Sequence, residues 1–154
     1  MRHILVSILL AFSVQFYAQN TINERTKHFN LEKSLAIQGY DPVAYFTKKK
    51  AVKGSGKIST KYLGITYLFA SENNKKTFEE NPSKYEPQYG GWCAFAMGDY
   101  GEKVEVDPET FKIIDGKLYL FYNAYFNNTL NSWNKDEKNL QQKADRNWSN
   151  YFKK

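Results

Sequence analysis

Cysteine is nearly absent from this sequence: Cys93 stands alone, so no disulfide can form within one chain. Histidine occurs only at His3 and His28, and arginine only at Arg2, Arg25 and Arg146. The shortage of Cys and His excludes a structural zinc cluster of Cys and His ligands. The shortage of Arg argues against a nucleic-acid reader, which concentrates arginine and aromatic residues on one face, so no nucleic-acid partner is expected. Methionine is as sparse, with Met97 the only one after the initiator. No apolar run reaches the ~20 residues that span a bilayer as a helix. The longest, from Ile4 to Val14, is little more than half that length.

What is present is the composition of a folded domain. The chain has 154 residues, 17% aromatic and 25% charged. That length suits one domain able to bury roughly 70% of the surface its unfolded form exposes, without needing a metal or disulfide to fold. The formal charge of +6 is densest in "KKKAVKGSGK", residues 48–57, where Gly54, Ser55 and Gly56 interrupt the lysines and mark a solvated loop. "GSGKIS" is not a phosphate loop: its first glycine is missing and Ile58 stands where Ser or Thr must follow the lysine.

The N-terminal "MRHILVSILLAFSVQFYAQ" combines a basic residue, Arg2, a short apolar run and Ala18 at a cleavable position, which reads as a secretory signal over residues 1–18. Residues 19–34 then form an N-terminal segment, and residues 35–152 one domain with a C-terminal helical extension. Loss of Arg2 lowers the charge from +6 to +5. With no second apolar run, no stable membrane insertion is expected once the signal is removed. The expected location is periplasmic or extracellular.

Periodicity and turn chemistry predict an α+β fold: small antiparallel β-hairpins packed with short helices and a C-terminal amphipathic helical segment. In "LAIQGYDPVAYF", residues 35–46, an extended run turns at Gly39, and Asp41-Pro42 opens a brief helix. "KISTKYLGITYLFA", residues 57–70, alternates around Leu63-Gly64 as a hairpin. Ser71 caps a polar helix that runs to about Asn81, where Pro82 starts another turn. "FKIIDGKLYLFYN", residues 111–123, is a hairpin turned by Asp115-Gly116. Beyond it, Phe126, Leu130, Trp133, Leu140, Ala144, Trp148 and Tyr151 recur at helical spacing, predicting one long or two shorter amphipathic helices packed on the core.

The blocks "GYDPVAYF", "YLGITYLFASENNKKTFEENPSKYEPQYGGWCAFAMG", "DPETFKIIDGKLYLFYN" and "KADRNW" resemble the exported YHS-domain proteins of bacteria, over about Gly39 to Trp148. The resemblance implies metal binding for the class, with cysteines as ligands. This sequence departs from the metal-linked pattern: Ala44, Ala70 and Asn74 sit where its cysteines stand, while Phe69, Ser71, Phe78, Pro82 and Tyr85 keep the frame.

"YGGWCAFAMG", residues 89–98, retains two sulfur atoms. If Cys93 begins a short helix after Gly90-Gly91, Met97 lies one turn above it, and thiolate with thioether is a partial site for Cu(I), which favours soft donors. Asp41 is the carboxylate that the fold could add. The candidate metal site is therefore Cys93, Met97 and Asp41, for copper or another transition metal. The competing reading makes Cys93 and Met97 core residues, since free Cys is commonly buried and Met fills irregular gaps. A catalytic thiol would need a base, and His28, in a polar segment far from Cys93 in sequence, is a poor candidate. Two functions fit: a non-enzymatic exported binding module for a transition metal or small ligand, or an interaction protein on a YHS scaffold that has lost its metal-binding cysteines.

Overall fold

The computed structural model describes residue 19 and residues 22–153. The signal expected over residues 1–18 lies outside them. The architecture is α+β, with two cores divided by one strand. Helix α1, residues 22–28, precedes β1 (Leu31–Glu32) and β2 (Leu35–Ala36). A tight turn, Ile37–Gly39, leads to α2 (Ala44–Thr47) and the hairpin β3 (Ser55–Tyr62) and β4 (Ile65–Phe69). These strands form a sheet of order β1-β2-β4-β3, in which β2 and β4 run parallel and the other pairs antiparallel. The β3–β4 turn is Leu63-Gly64, both in the left-handed region at φ 43° and 86°. A tight turn between alternating apolar runs needs those angles.

Helix α3 (Glu72–Glu80) begins where Ser71 Oγ accepts a hydrogen bond from the Asn74 N–H, and α4 (Pro82–Tyr85) follows with proline in its first turn. The chain then reaches α5 (Ala94–Asp99) and a second hairpin, β5 (Asp107–Ile114) and β6 (Lys117–Phe121), turned at Asp115-Gly116. Pro87 and Cys93 bridge to Leu118 and Leu120, so the segment before α5 runs parallel along the free edge of β6.

Side chains alternate across a strand, and β6 uses both faces. Leu118 and Leu120 enter a first core with Tyr45, Ile65, Tyr67, Phe69, Phe78 and Cys93. Tyr119 and Phe121 enter a second with Tyr89, Met97, Trp133, Leu140 and Ala144. The second core is closed by α6 (Thr129–Trp133) and α7 (Glu137–Asn150), so the C-terminal helical pattern divides into two helices. Gly98 lets α5 approach α7: a Cβ there would sit 2.6 Å from the Leu140 carbonyl oxygen.

One residue of the predicted helical stripe departs from it. Phe126 lies in a two-residue turn between β7 (Asn123–Ala124) and β8 (Asn127–Asn128), with its side chain in solvent. Asn128 begins α6 by accepting the Leu130 N–H on its side chain, so the helix cannot extend back to residue 126.

Candidate functional site

The Asp41 carboxylate is fully buried and collects four hydrogen bonds. Its Oδ1 accepts from the backbone N–H of Val43 at 2.8 Å and of Ala44 at 3.2 Å. Its Oδ2 accepts from the Ala70 N–H at 2.8 Å and from Asn74 Nδ2 at 2.7 Å. Ala44, Ala70 and Asn74 are the positions where the metal-linked YHS pattern has cysteines, and all three converge on this carboxylate. Two lone pairs per oxygen are matched by two donors per oxygen, which leaves no acceptor direction for a cation. The centre is an electrostatic clasp joining the 41–44 turn to β4 and α3, and its residues do not fit a metal.

Cys93 has no exposed surface. It precedes α5 with φ −57° and ψ 117°, outside the helical region, and its carbonyl accepts the Met97 N–H at 3.0 Å. Because Cys93 is not itself helical, its side chain does not follow the direction that i, i+4 spacing implies. Cys93 packs in the first core and Met97 in the second. The Cys93 sulfur lies 3.4 Å from Thr129 Oγ1 and receives the Tyr122 N–H at 3.4 Å. Asp41, Cys93 and Met97 thus have separate surroundings. Among the described residues, no group of three or more His, Cys, Asp and Glu is placed to hold a metal ion.

Cys93 forms the floor of a cavity of about 220 Å³. Its walls come from α5 and the loop after it, through Phe95, Ala96, Tyr100 and Val104, and from the far side through Tyr122, Asn127 and Thr129. Among the described residues, no charged side chain lines it. Tyr100 at the rim is mostly exposed, and the Asp99 carboxylate beside it raises its phenol above the ordinary value, so it is neutral near pH 7. Aromatic walls, three hydroxyls, one carboxamide and one thiol suit a neutral ligand with a flat apolar body. The cavity's walls were not readable as a set, because residues 93–104 and 122–129 are brought together by long-range contacts, the Cys93 bridge to Leu120 and the Cys93 sulfur with Tyr122 and Thr129.

His28 lies elsewhere. Its Nδ1 is 2.9 Å from Lys103 Nζ, and its ring packs on Tyr151 and Phe152 at 5.6 and 5.1 Å between centroids. Burial, and then the Lys103 charge, hold His28 below its ordinary pKa. Lys103 is itself lowered, first by desolvation and then by Lys27. Its ammonium, 2.9 Å from the ring nitrogen, requires a neutral imidazole with Nδ1 as acceptor. A second buried polar group ties α1 to the first core: Arg25 and Tyr67 both meet the Glu86 carboxylate. Burial and the adjacent Glu86 charge push the Tyr67 phenol well above its ordinary value, so it stays a donor.

Residues 43–89 match the family described as YHS domain. That stretch, under a third of the chain, is similar to a YHS domain. That match covers α2 through the turn after α4, including Ala44, Ala70 and Asn74 of the Asp41 clasp, and ends just before Cys93. No curated protein and no solved structure matches the chain. The cavity at Cys93 thus lies mainly in the part of the chain that follows the YHS match.

Proposed function

We propose that this protein is an exported, non-enzymatic binding module whose ligand is a small neutral molecule with an aromatic or similarly flat body, held in the cavity above Cys93. The carrying observation is that cavity: about 220 Å³, with aromatic walls and no charged lining. Hydrogen-bonding capacity at Asn127, Thr129 and Tyr122 would fix the orientation of one polar substituent. The module reading is supported by the surroundings of its nucleophile. Cys93 is paired with Thr129 and Tyr122, whereas His28, the one histidine among the described residues, is engaged by Lys103. Export, to the periplasm or beyond, is supported by the signal-like residues 1–18. Among the described residues no helix is long and apolar enough to cross a membrane.

Calorimetric titration with phenol and indole tests the reading. A ligand of that size in a site of this kind binds with a Kd of about 0.1–1 mM, and Ala96→Phe, which fills the cavity, abolishes the heat. Equal binding by wild type and Ala96→Phe would contradict it. A parallel Cu(I) titration separates the alternatives, since stoichiometric uptake lost in Cys93→Ser would make the ligand a soft metal ion instead.

A further inference from the structure

Among the described residues, four hairpins turn on two residues with left-handed backbone. Two of them, Leu63-Gly64 and Asp115-Gly116, place glycine second, as such turns favour. A third places the small or polar, exposed Lys33 and Ser34 there, and the fourth places two large aromatic residues, Tyr125 and Phe126, at φ 51° and 63°. Bulky side chains are disfavoured in that region, and both rings stand in water, at 92% and 112% of full exposure. Local backbone preference and burial both count against these residues, so their presence points to a contact outside the chain. The same hairpin supplies Asn127 to the rim of the Cys93 cavity, so a projecting apolar tip and an apolar hollow adjoin on one face.

We propose that the Tyr125–Phe126 tip of one copy seats in the Cys93 cavity of a second copy, and the reverse, giving a two-fold dimer. The inference rests on the reading of that cavity as a site for a neutral aromatic group, and it names a protein side chain as one such group. Adjacent tip and hollow are what an isologous contact needs, because a single two-fold axis satisfies both at once. A cavity of about 220 Å³ with no charged lining accepts a phenyl ring without desolvating a charge. Each exposed aromatic side chain presents roughly 150–250 Å². Four rings and the walls they cover therefore bury roughly 1,200–2,000 Å², the range of a standard specific interface. An anionic bilayer is the less favoured occupant of the tip. Asp99 and Glu102 flank Tyr100 at the cavity, and Asp107 lies at the hairpin's base through Thr110 and Asn123, so this face repels anionic headgroups.

Sedimentation equilibrium on the purified chain and on Tyr125→Asn/Phe126→Gly tests the proposal. Asn-Gly suits the turn, so the variant keeps its fold. The wild type is expected to dimerise and the variant to sediment as a monomer. For the contact itself, Phe126→Cys and Tyr100→Cys proteins, both in a Cys93→Ser background, are mixed under mild oxidation. A mixed disulfide dimer, formed in preference to either self-dimer, supports the pairing. A wild type that stays monomeric, or a dimer unchanged in the variant, overturns it. So does a monomer that sediments with phosphatidylglycerol vesicles only when the tip is intact. Phenol titrated into the monomeric variant separates this failure from that of the cavity reading: binding there with no wild-type dimer sinks the dimer alone, and no binding there sinks both.

Discussion

Exchanging Asp41 for asparagine alters one atom of a buried carboxylate whose four hydrogen bonds fix the cost of the change. With its oxygen kept toward the Val43 and Ala44 N–H groups, the new amide nitrogen faces the Ala70 N–H and the Asn74 side-chain donor, now 2.8 and 2.7 Å from an acceptor. Two charge-assisted hydrogen bonds are lost and two buried donors are left unpaired, at about 1–3 kcal/mol each. The expected destabilisation is about 4 kcal/mol, a large part of the roughly 5–15 kcal/mol typical of a domain. With a urea m-value of about 2 kcal/mol/M, the unfolding midpoint falls by roughly 2 M. Adding Asn74→Asp gives the amide an acceptor, and the double variant should recover about 1–2 kcal/mol as a coupling energy. An Asp41→Asn midpoint within about 0.5 M of wild type (about 1 kcal/mol at the same slope), or a double variant that only adds the two losses, would refute the clasp.

Further expectations concern the packing around the cores. His28 is held below its unfolded pKa by burial and Lys103, so the folded state binds its proton less readily than the unfolded chain. Its contribution is fully present above pH 6.5 and is lost as pH falls from there through the lowered folded value. Thermal melts between about pH 7 and pH 5 should therefore drop less steeply for His28→Asn, whose side-chain oxygen can take the Lys103 donor, than for wild type. Gly98→Ala forces a methyl against the Leu140 carbonyl at 2.6 Å and should cost about 1–3 kcal/mol in chemical denaturation. Tyr125→Asn/Phe126→Gly relieves two bulky left-handed residues and should raise monomer stability by about 1–2 kcal/mol. A loss of stability would mean that the rings pack within the chain.

The local elements were legible where turn chemistry and periodicity coincide. Leu63-Gly64, Ser71 with Pro82, and Asp115-Gly116 each set a boundary through backbone angle or capping, and the structure places hairpins and helices there. The tip at Tyr125-Phe126 was not legible, because neither residue favours the left-handed turn and the helical spacing of Phe126 with Leu130 pointed elsewhere. The part of β6 was hidden for another reason. Its run Leu118 to Phe121 is apolar on both faces, so alternation, the usual mark of a one-sided strand, is missing. Asp41 was readable as a helix-opening residue through Asp41-Pro42, but its bonds to Ala70 and Asn74 span 29 and 33 residues. The Cys93 cavity depends wholly on such long-range meetings. Sequence spacing also suggested that Cys93 and Met97 share a face, and the non-helical backbone at Cys93 instead turns them into separate cores.

The binding account is tested most directly by amide chemical shifts in the ¹⁵N-labelled Tyr125→Asn/Phe126→Gly protein, whose cavity no partner tip can fill, during titration with indole. The account predicts saturable changes at Cys93, Phe95, Tyr100, Asn127 and Thr129, absent in Ala96→Phe, with the Asp41 clasp undisturbed. Changes scattered over the surface, or none at those five residues up to solubility, would contradict a ligand site above Cys93.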